Sequence, residues 1–232
     1  MTSRNKTARL AGVLYLFLII GGIISLKLIP SRLMDWESAS KTIENITTNE
    51  PLFRLGIASG IITFLIYMLL PLVLYKLLHE VNKVYANLMV IFVLVSVPIF
   101  FVNILNKFSV LTLINKPEYI ERLGEAGLQA QVMLNFANYN NGLVISQIFW
   151  GLWLFPFGYL VYKSGFLPKL LGILLMAGCF GYLITFFGGL LYSDFNKTII
   201  SDIAGYPAPL GEIGICLWLL IMGTNKLKFG KK

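Results

Sequence analysis

Six long apolar stretches, near residues 8–29, 52–78, 85–114, 133–162, 168–192 and 209–225, account for most of this 232-residue chain. About 20 consecutive apolar residues are enough for a helix to cross the hydrocarbon of a bilayer, so the sequence places nearly all of the chain in a membrane. Inside lipid no water is available to backbone N–H and C=O groups, which restricts a spanning chain to helices or a closed barrel. Unbroken apolar runs at residues 14–24 and 89–95 lack the alternation that a barrel strand needs. With 57% hydrophobic and 13% charged residues and a mean hydropathy of +0.77, a soluble domain of this size would expose an apolar surface it could not keep in solution. The sequence therefore predicts an all-α polytopic membrane protein, with residues 1–232 as a single integral domain built as a bundle of six transmembrane helices. Pro71, Pro98 and Pro156 fall inside the second, third and fourth stretches and predict kinks there, because each removes a backbone donor and crowds the preceding turn.

Basic residues near membrane ends favour the cytoplasmic side, and here they segregate. One side receives Arg4, Lys6, Arg9, Lys76, Lys83, Lys163, Lys169, Lys226, Lys228, Lys231 and Lys232 against the single acid Glu80; the other holds eight basic against ten acidic residues. This predicts that both termini lie in the cytoplasm. The net charge of +8 is then a topology signal and an attraction to anionic lipid heads, with no nucleic-acid partner required. Connections on the predicted inner side, residues 79–83 and 163–167, are short, so their flanking helices run antiparallel. On the outer side, residues 30–51 carry Trp36, Ala39, Ile43 and Ile46 at helical spacing, the pattern of a short amphipathic helix at the interface. Residues 115–130 show a weaker version, and residues 193–208, ending at Pro207 and Pro209, are expected to be irregular.

Polar side chains inside a bilayer cost energy, so their positions are the best guide to function. Arg54 lies at the outer start of the second helix, with Asn103, Asn106 and Lys107 near the outer end of the third. Asn135, Asn138, Asn140, Asn141 and Gln147 occupy the outer half of the fourth, and Glu212 opens the sixth. If those helices enclose a common space, they form an outward-facing polar cavity in which Arg54 and Glu212 pair and the amides supply donors and acceptors. The candidate ligand-binding residues are accordingly Arg54, Asn103, Lys107, Asn138, Asn141, Gln147 and Glu212. The competing reading uses the same residues structurally: amides join helices, Arg54 and Lys107 reach up to headgroups, and Glu212 caps a helix start. Glycines in Gly56-x-x-x-Gly60 and in the Gly178, Gly181, Gly188 series mark close helix packing. On the fourth helix, Asn140, Val144, Gln147, Gly151, Leu154 and Gly158 recur at three- and four-residue steps and make one polar and small face.

No catalytic or metal site is expected. His79 is the only histidine and falls at the cytoplasmic edge, Cys179 and Cys216 fall within spans, and no phosphate-binding loop, nucleophile turn or pair of intramembrane aspartates is present. No cofactor is implied.

Several segments together resemble a family of bacterial multi-pass membrane proteins, domain-of-unknown-function family 4386. They are Ala8-Arg9-Leu10-Ala11-Gly12-Val13-Leu14-Tyr15, Leu52-Phe53-Arg54-Leu55-Gly56-Ile57, Tyr162-Lys163-Ser164-Gly165-Phe166-Leu167-Pro168, and Gly211-Glu212 followed by Leu217-Trp218-Leu219-Leu220. The resemblance implies a bacterial inner-membrane protein and carries no activity, substrate or catalytic residue with it. Where members often have His or Asp early in the fourth span, this chain has Asn at 138, 140 and 141. The sequence thus points to binding or transport of a small polar or amphiphilic molecule, with membrane lipids and that small molecule as partners. A membrane scaffold or partner subunit that self-associates into a homo-oligomer through its glycine faces is the alternative. An intramembrane enzyme acting on lipid stands third.

Overall fold

A computed structural model describes residues 3–224; the predicted end of the sixth stretch at Asn225 and the inner-side lysines Lys226, Lys228, Lys231 and Lys232 lie outside them. Six helical segments are long and apolar enough to cross a membrane: Ser3–Leu33, Glu50–Leu78, Lys83–Asn115, Pro117–Lys163, Lys169–Leu191 and Ile199–Ile221. They are referred to below as the first to sixth spans. The all-α, six-span reading of the sequence holds, and the chain is a multi-pass membrane protein.

Breaks within the spans have identifiable chemical causes. In the first span a π-helical turn, Ile24–Leu28, is closed by the Ile29 N–H bonding to the Ile24 carbonyl. Pro30 follows immediately and has no N–H with which to continue the ordinary ladder. The third span is interrupted at Ile104, between helices Lys83–Asn103 and Leu105–Asn115, six residues beyond Pro98. There the Asn106 side-chain amide donates to the Asn103 carbonyl at 2.9 Å, while the Lys107 N–H turns to Ile104 at 3.0 Å. A side chain has taken the place of a backbone donor and tightened the turn that carries Lys107. The fourth span breaks at Trp153 before helix Leu154–Lys163, where Pro156 leaves the Leu152 carbonyl without its usual donor. Pro71 lies inside the continuous helix Glu50–Leu78.

The longer connections are more regular than the sequence suggests. The amphipathic helix is present as Ala39–Thr48, capped by the Ser38 hydroxyl, which accepts from the Lys41 N–H, with Thr42 and Ile46 buried. In the 115–130 region the helix Pro117–Leu152 turns at Gly124, whose φ of 66° and ψ of 174° suit glycine alone. The expectation of an irregular segment at 193–208 is corrected. A 3-10 turn, Phe195–Lys197, leads into helix Ile199–Gly205, whose start is capped by the Thr198 hydroxyl accepting from Ser201. Pro207 then opens helix Pro207–Ile221, a position where its missing N–H costs nothing.

Two compact units emerge. Among the described residues, one comprises residues 3–17, 66–97 and 145–224, the other Leu18–Leu65 and Pro98–Val144. The first unit is built on close backbone approach. A Cβ at Gly12 would come within 2.5 Å of the Leu220 nitrogen, one at Gly158 within 2.6 Å of the Gly172 carbonyl oxygen, and one at Gly178 within 2.8 Å of the Ala208 Cα. These glycines let the first, fourth, fifth and sixth spans meet at backbone distance, the packing that replaces hydrophobic drive inside lipid. Tyr15, Trp153, Phe157 and Leu219 fill the space between them. In the second unit Gly56 meets Ile29 and Gly60 meets Phe100 and Ile104, while Phe64 stacks on Phe100 and Phe53 packs edge-on against Phe136.

Candidate functional site

In the second unit the tightened turn at Ile104 directs Lys107 inward, where only 5% of the residue is exposed. A lysine ammonium normally reaches water or an acid when it lies in a bilayer. Here it lies over the face of Tyr139, 4.2 Å from the ring centre, a cation–π contact that stabilises the charge only in part. Among the described residues no carboxylate forms an ion pair with it. Tyr139 is itself held by the third span, since the buried Asn103 side chain donates to the Tyr139 carbonyl at 2.8 Å and packs against Gly142, where any Cβ would overlap it.

Lys107, Tyr139 and Asn140 line a cavity of about 330 Å³, with Lys27, Ser31, Leu26, Pro30, Met34, Trp36 and Leu143 completing its wall. One edge of the cavity comes from the π-helical turn, which carries Leu26 and Lys27. Its chemistry is mixed: two ammonium groups, a phenol, an amide and a hydroxyl against an apolar remainder.

The first unit holds a different polar centre. The Tyr15 hydroxyl donates to the Glu212 carboxylate at 2.9 Å, and Tyr67 and Tyr182 are in electrostatic reach of the same carboxylate. Trp153 packs against Tyr15 at 6.1 Å and against Tyr67 at 5.7 Å between ring centres. Glu212 is the sixth residue of helix Pro207–Ile221, so the cap role considered from sequence does not apply to it. Beside this group Gln147, Tyr182 and Thr185 line a second cavity of about 160 Å³ with Gly181, Ala204, Gly205, Ala208 and Pro209.

The seven candidate residues are thus distributed over both units. Asn103 and Lys107 share the 330 Å³ site of the second unit, one holding Tyr139 and the other facing the cavity. Arg54 is exposed and pairs with Glu50, four residues earlier, at 2.6 Å, and Glu212 bonds to Tyr15; each has found its own partner. Asn138 and Asn141 are exposed, and their neighbour Asn140 lines the cavity instead. Gln147 lies beside Tyr182 in the first unit. Sequence reasoning did not single out Lys27, Tyr139, Tyr15 or Tyr182 for these sites. Tyr139 could have been found from its place one helical turn from Asn135 and Leu143 on the buried side of the fourth span, whereas Tyr15 gives no local signal. Among the described residues no group of three His, Cys, Asp or Glu side chains could hold a metal.

A family model described as Domain of unknown function (DUF4386) matches residues 10–223. An uncharacterized protein of Archaeoglobus fulgidus is 37% identical over 83 residues, 36% of this chain and 47% of that protein. The match therefore spans about half the length of that relative. No solved structure matches.

Proposed function

We propose, for a chain that belongs to the family Domain of unknown function (DUF4386), that this multi-pass membrane protein binds a small anionic amphiphile in the cavity around Lys107. The observation that carries the reading is the buried Lys107 ammonium on a cavity of about 330 Å³ with an aromatic ring, but no acid, as its partner. That volume is at the lower end of the roughly 300–1,000 Å³ typical of ligand pockets, so the occupant is a short single-chain molecule. Its carboxylate or phosphate sits against Lys107 and Lys27, and its apolar part against Leu26, Met34, Trp36 and Leu143. A π-helical turn in the wall supports the same reading, since such turns are maintained at a cost and recur at functional sites. In this reading the protein lies in the bacterial inner membrane with both termini cytoplasmic, as the distribution of basic residues favours, and the site faces outward.

Equilibrium dialysis of radiolabelled decanoate against protein in lipid nanodiscs tests the proposal, with decanol as the uncharged comparison. A hydrogen bond to a charged group is worth about 1.5–3 kcal/mol, so Lys107→Met should weaken decanoate binding roughly ten- to a hundredfold and leave decanol unaffected. Equal binding of decanoate by the wild type and Lys107→Met, or equal binding of the two probes by the wild type, would refute it.

A further inference from the structure

We propose that Glu212 is a proton-exchange site, a carboxyl that gains and loses a proton through the cavity beside Tyr182. The inference does not depend on the Lys107 site and is tested without any amphiphile. Three features of the first unit support it. Glu212 has no basic partner: among the described residues no Lys or Arg forms an ion pair with it. An uncompensated negative charge in apolar surroundings is expensive, so the group needs a cation, and a proton is the smallest one available.

The neighbours are suited to a proton and poorly suited to a metal. Among the described residues, the titratable side chains that face Glu212 are all phenols: Tyr15 from the first span, Tyr67 from the second and Tyr182 from the fifth. The third span contributes Ser96, within reach of Tyr67, and the fourth contributes Trp153; neither titrates. Tyr15 donates to one carboxylate oxygen at 2.9 Å, which stabilises the ionised form when the proton leaves while the other oxygen can carry the proton when it returns. Among the described residues no group of three His, Cys, Asp or Glu side chains supplies the ligands a metal cation would require.

A route to the group is also present. Tyr182 both interacts with Glu212 and lines the 160 Å³ cavity with Gln147 and Thr185. A water molecule occupies about 30 Å³ of liquid and needs two to four polar partners, so this space can hold several waters bonded to the Gln147 amide, the Thr185 hydroxyl and the Tyr182 phenol. Such a file brings protons to the Tyr182 side of the carboxyl.

The test is infrared difference spectroscopy of the nanodisc-embedded protein, titrated with acid and base. The expected result is a protonated-carboxyl band that appears on acidification, is absent in Glu212→Gln, and shifts to higher frequency in Tyr15→Phe, where the hydrogen bond from the phenol is gone. Thr185→Leu, which fills the cavity, should slow the deuterium shift of that band severalfold in heavy water. Glu212→Gln keeps the size and shape of the protonated acid and is expected to fold. Should it fail to fold, the Tyr15→Phe shift assigns the band by itself. A carboxyl that stays ionised wherever the protein is folded, a band unmoved in Tyr15→Phe, unchanged exchange in Thr185→Leu, or loss of the band on adding sodium at constant pH would each overturn the inference.

Discussion

Replacing Gly158 by alanine tests the packing logic of the first unit with one methyl group. The added Cβ would lie 2.6 Å from the Gly172 carbonyl oxygen and 2.8 Å from both the Met176 nitrogen and its Cγ. Ordinary contact needs roughly 3.4 Å or more, so the fourth and fifth spans must separate by somewhat under 1 Å or the backbone must shift. Overpacking of this kind costs about 1–3 kcal/mol, offset by the roughly 0.5–1 kcal/mol that alanine gains over glycine inside a helix. The net expectation is a loss of about 1–2 kcal/mol, measured by SDS-titrated unfolding in mixed micelles. Gly189→Ala is the internal control: Gly189 lies in the same helix as Gly172, Lys169–Leu191, and a Cβ there meets nothing within 4 Å. It should be neutral or stabilising by up to about 1 kcal/mol. Because Gly158 and Gly172 face each other, the double variant Gly158→Ala with Gly172→Ala should fall short of the sum of the single losses. If Gly158→Ala matched Gly189→Ala, the backbone contact between the two spans would not exist as described.

Asn103→Ala removes the bond to the Tyr139 carbonyl and the second acceptor of Asn106. It should destabilise by about 0.5–2 kcal/mol, the span of interhelical hydrogen bonds in membranes, and unchanged unfolding would count against the pairing. In the connection between the first two spans, the Lys41 side chain, the Glu37 N–H and the Ser38 N–H hold the Asp35 carboxyl below the usual carboxylate range. A depressed folded-state value means that its contribution is complete at neutral pH and lost as the pH falls below about 4. Hydrogen exchange at Glu37 and Ser38, normalised for the intrinsic acid dependence, should therefore accelerate on acidification in the wild type and be fast throughout in Asp35→Asn; a flat profile in the wild type would contradict this.

The spans were legible because lipid leaves the chain few choices: runs such as 14–24 and 89–95 can only be helical, and lengths near 20 residues fix their number. The amphipathic segment was equally readable from Ile43 and Ile46, although the buried edge also takes Thr42, a residue whose hydroxyl ties back to Asp35 and which carries no apolar signal. The helix at Ile199–Gly205 was missed because Pro207 and Pro209 drew attention to a loop, whereas Thr198 followed by Ser201 and Asp202 is a readable start signal. Site chemistry was harder. Lys107 was recognisable as an intramembrane cation, but its inward direction depends on Asn106 displacing a backbone donor, an exchange that spacing does not reveal. Arg54 had a local partner in Glu50 at i,i+4 spacing, which the sequence displays and which outweighs a distant ion pair. Tyr15 and Glu212 are separated by 197 residues, and only the fold brings them together.

The central claim, that the space around Lys107 is a ligand site, is tested most directly by irradiating nanodisc-embedded protein with a photoactivatable short-chain fatty acid and mapping the labelled peptides. The account predicts labelling at Met34, Trp36 and Leu143, suppressed by excess decanoate and lost in Lys107→Met. Labelling confined to exposed positions away from the cavity such as Leu190 and Leu191, unchanged by decanoate or by the substitution, would contradict it.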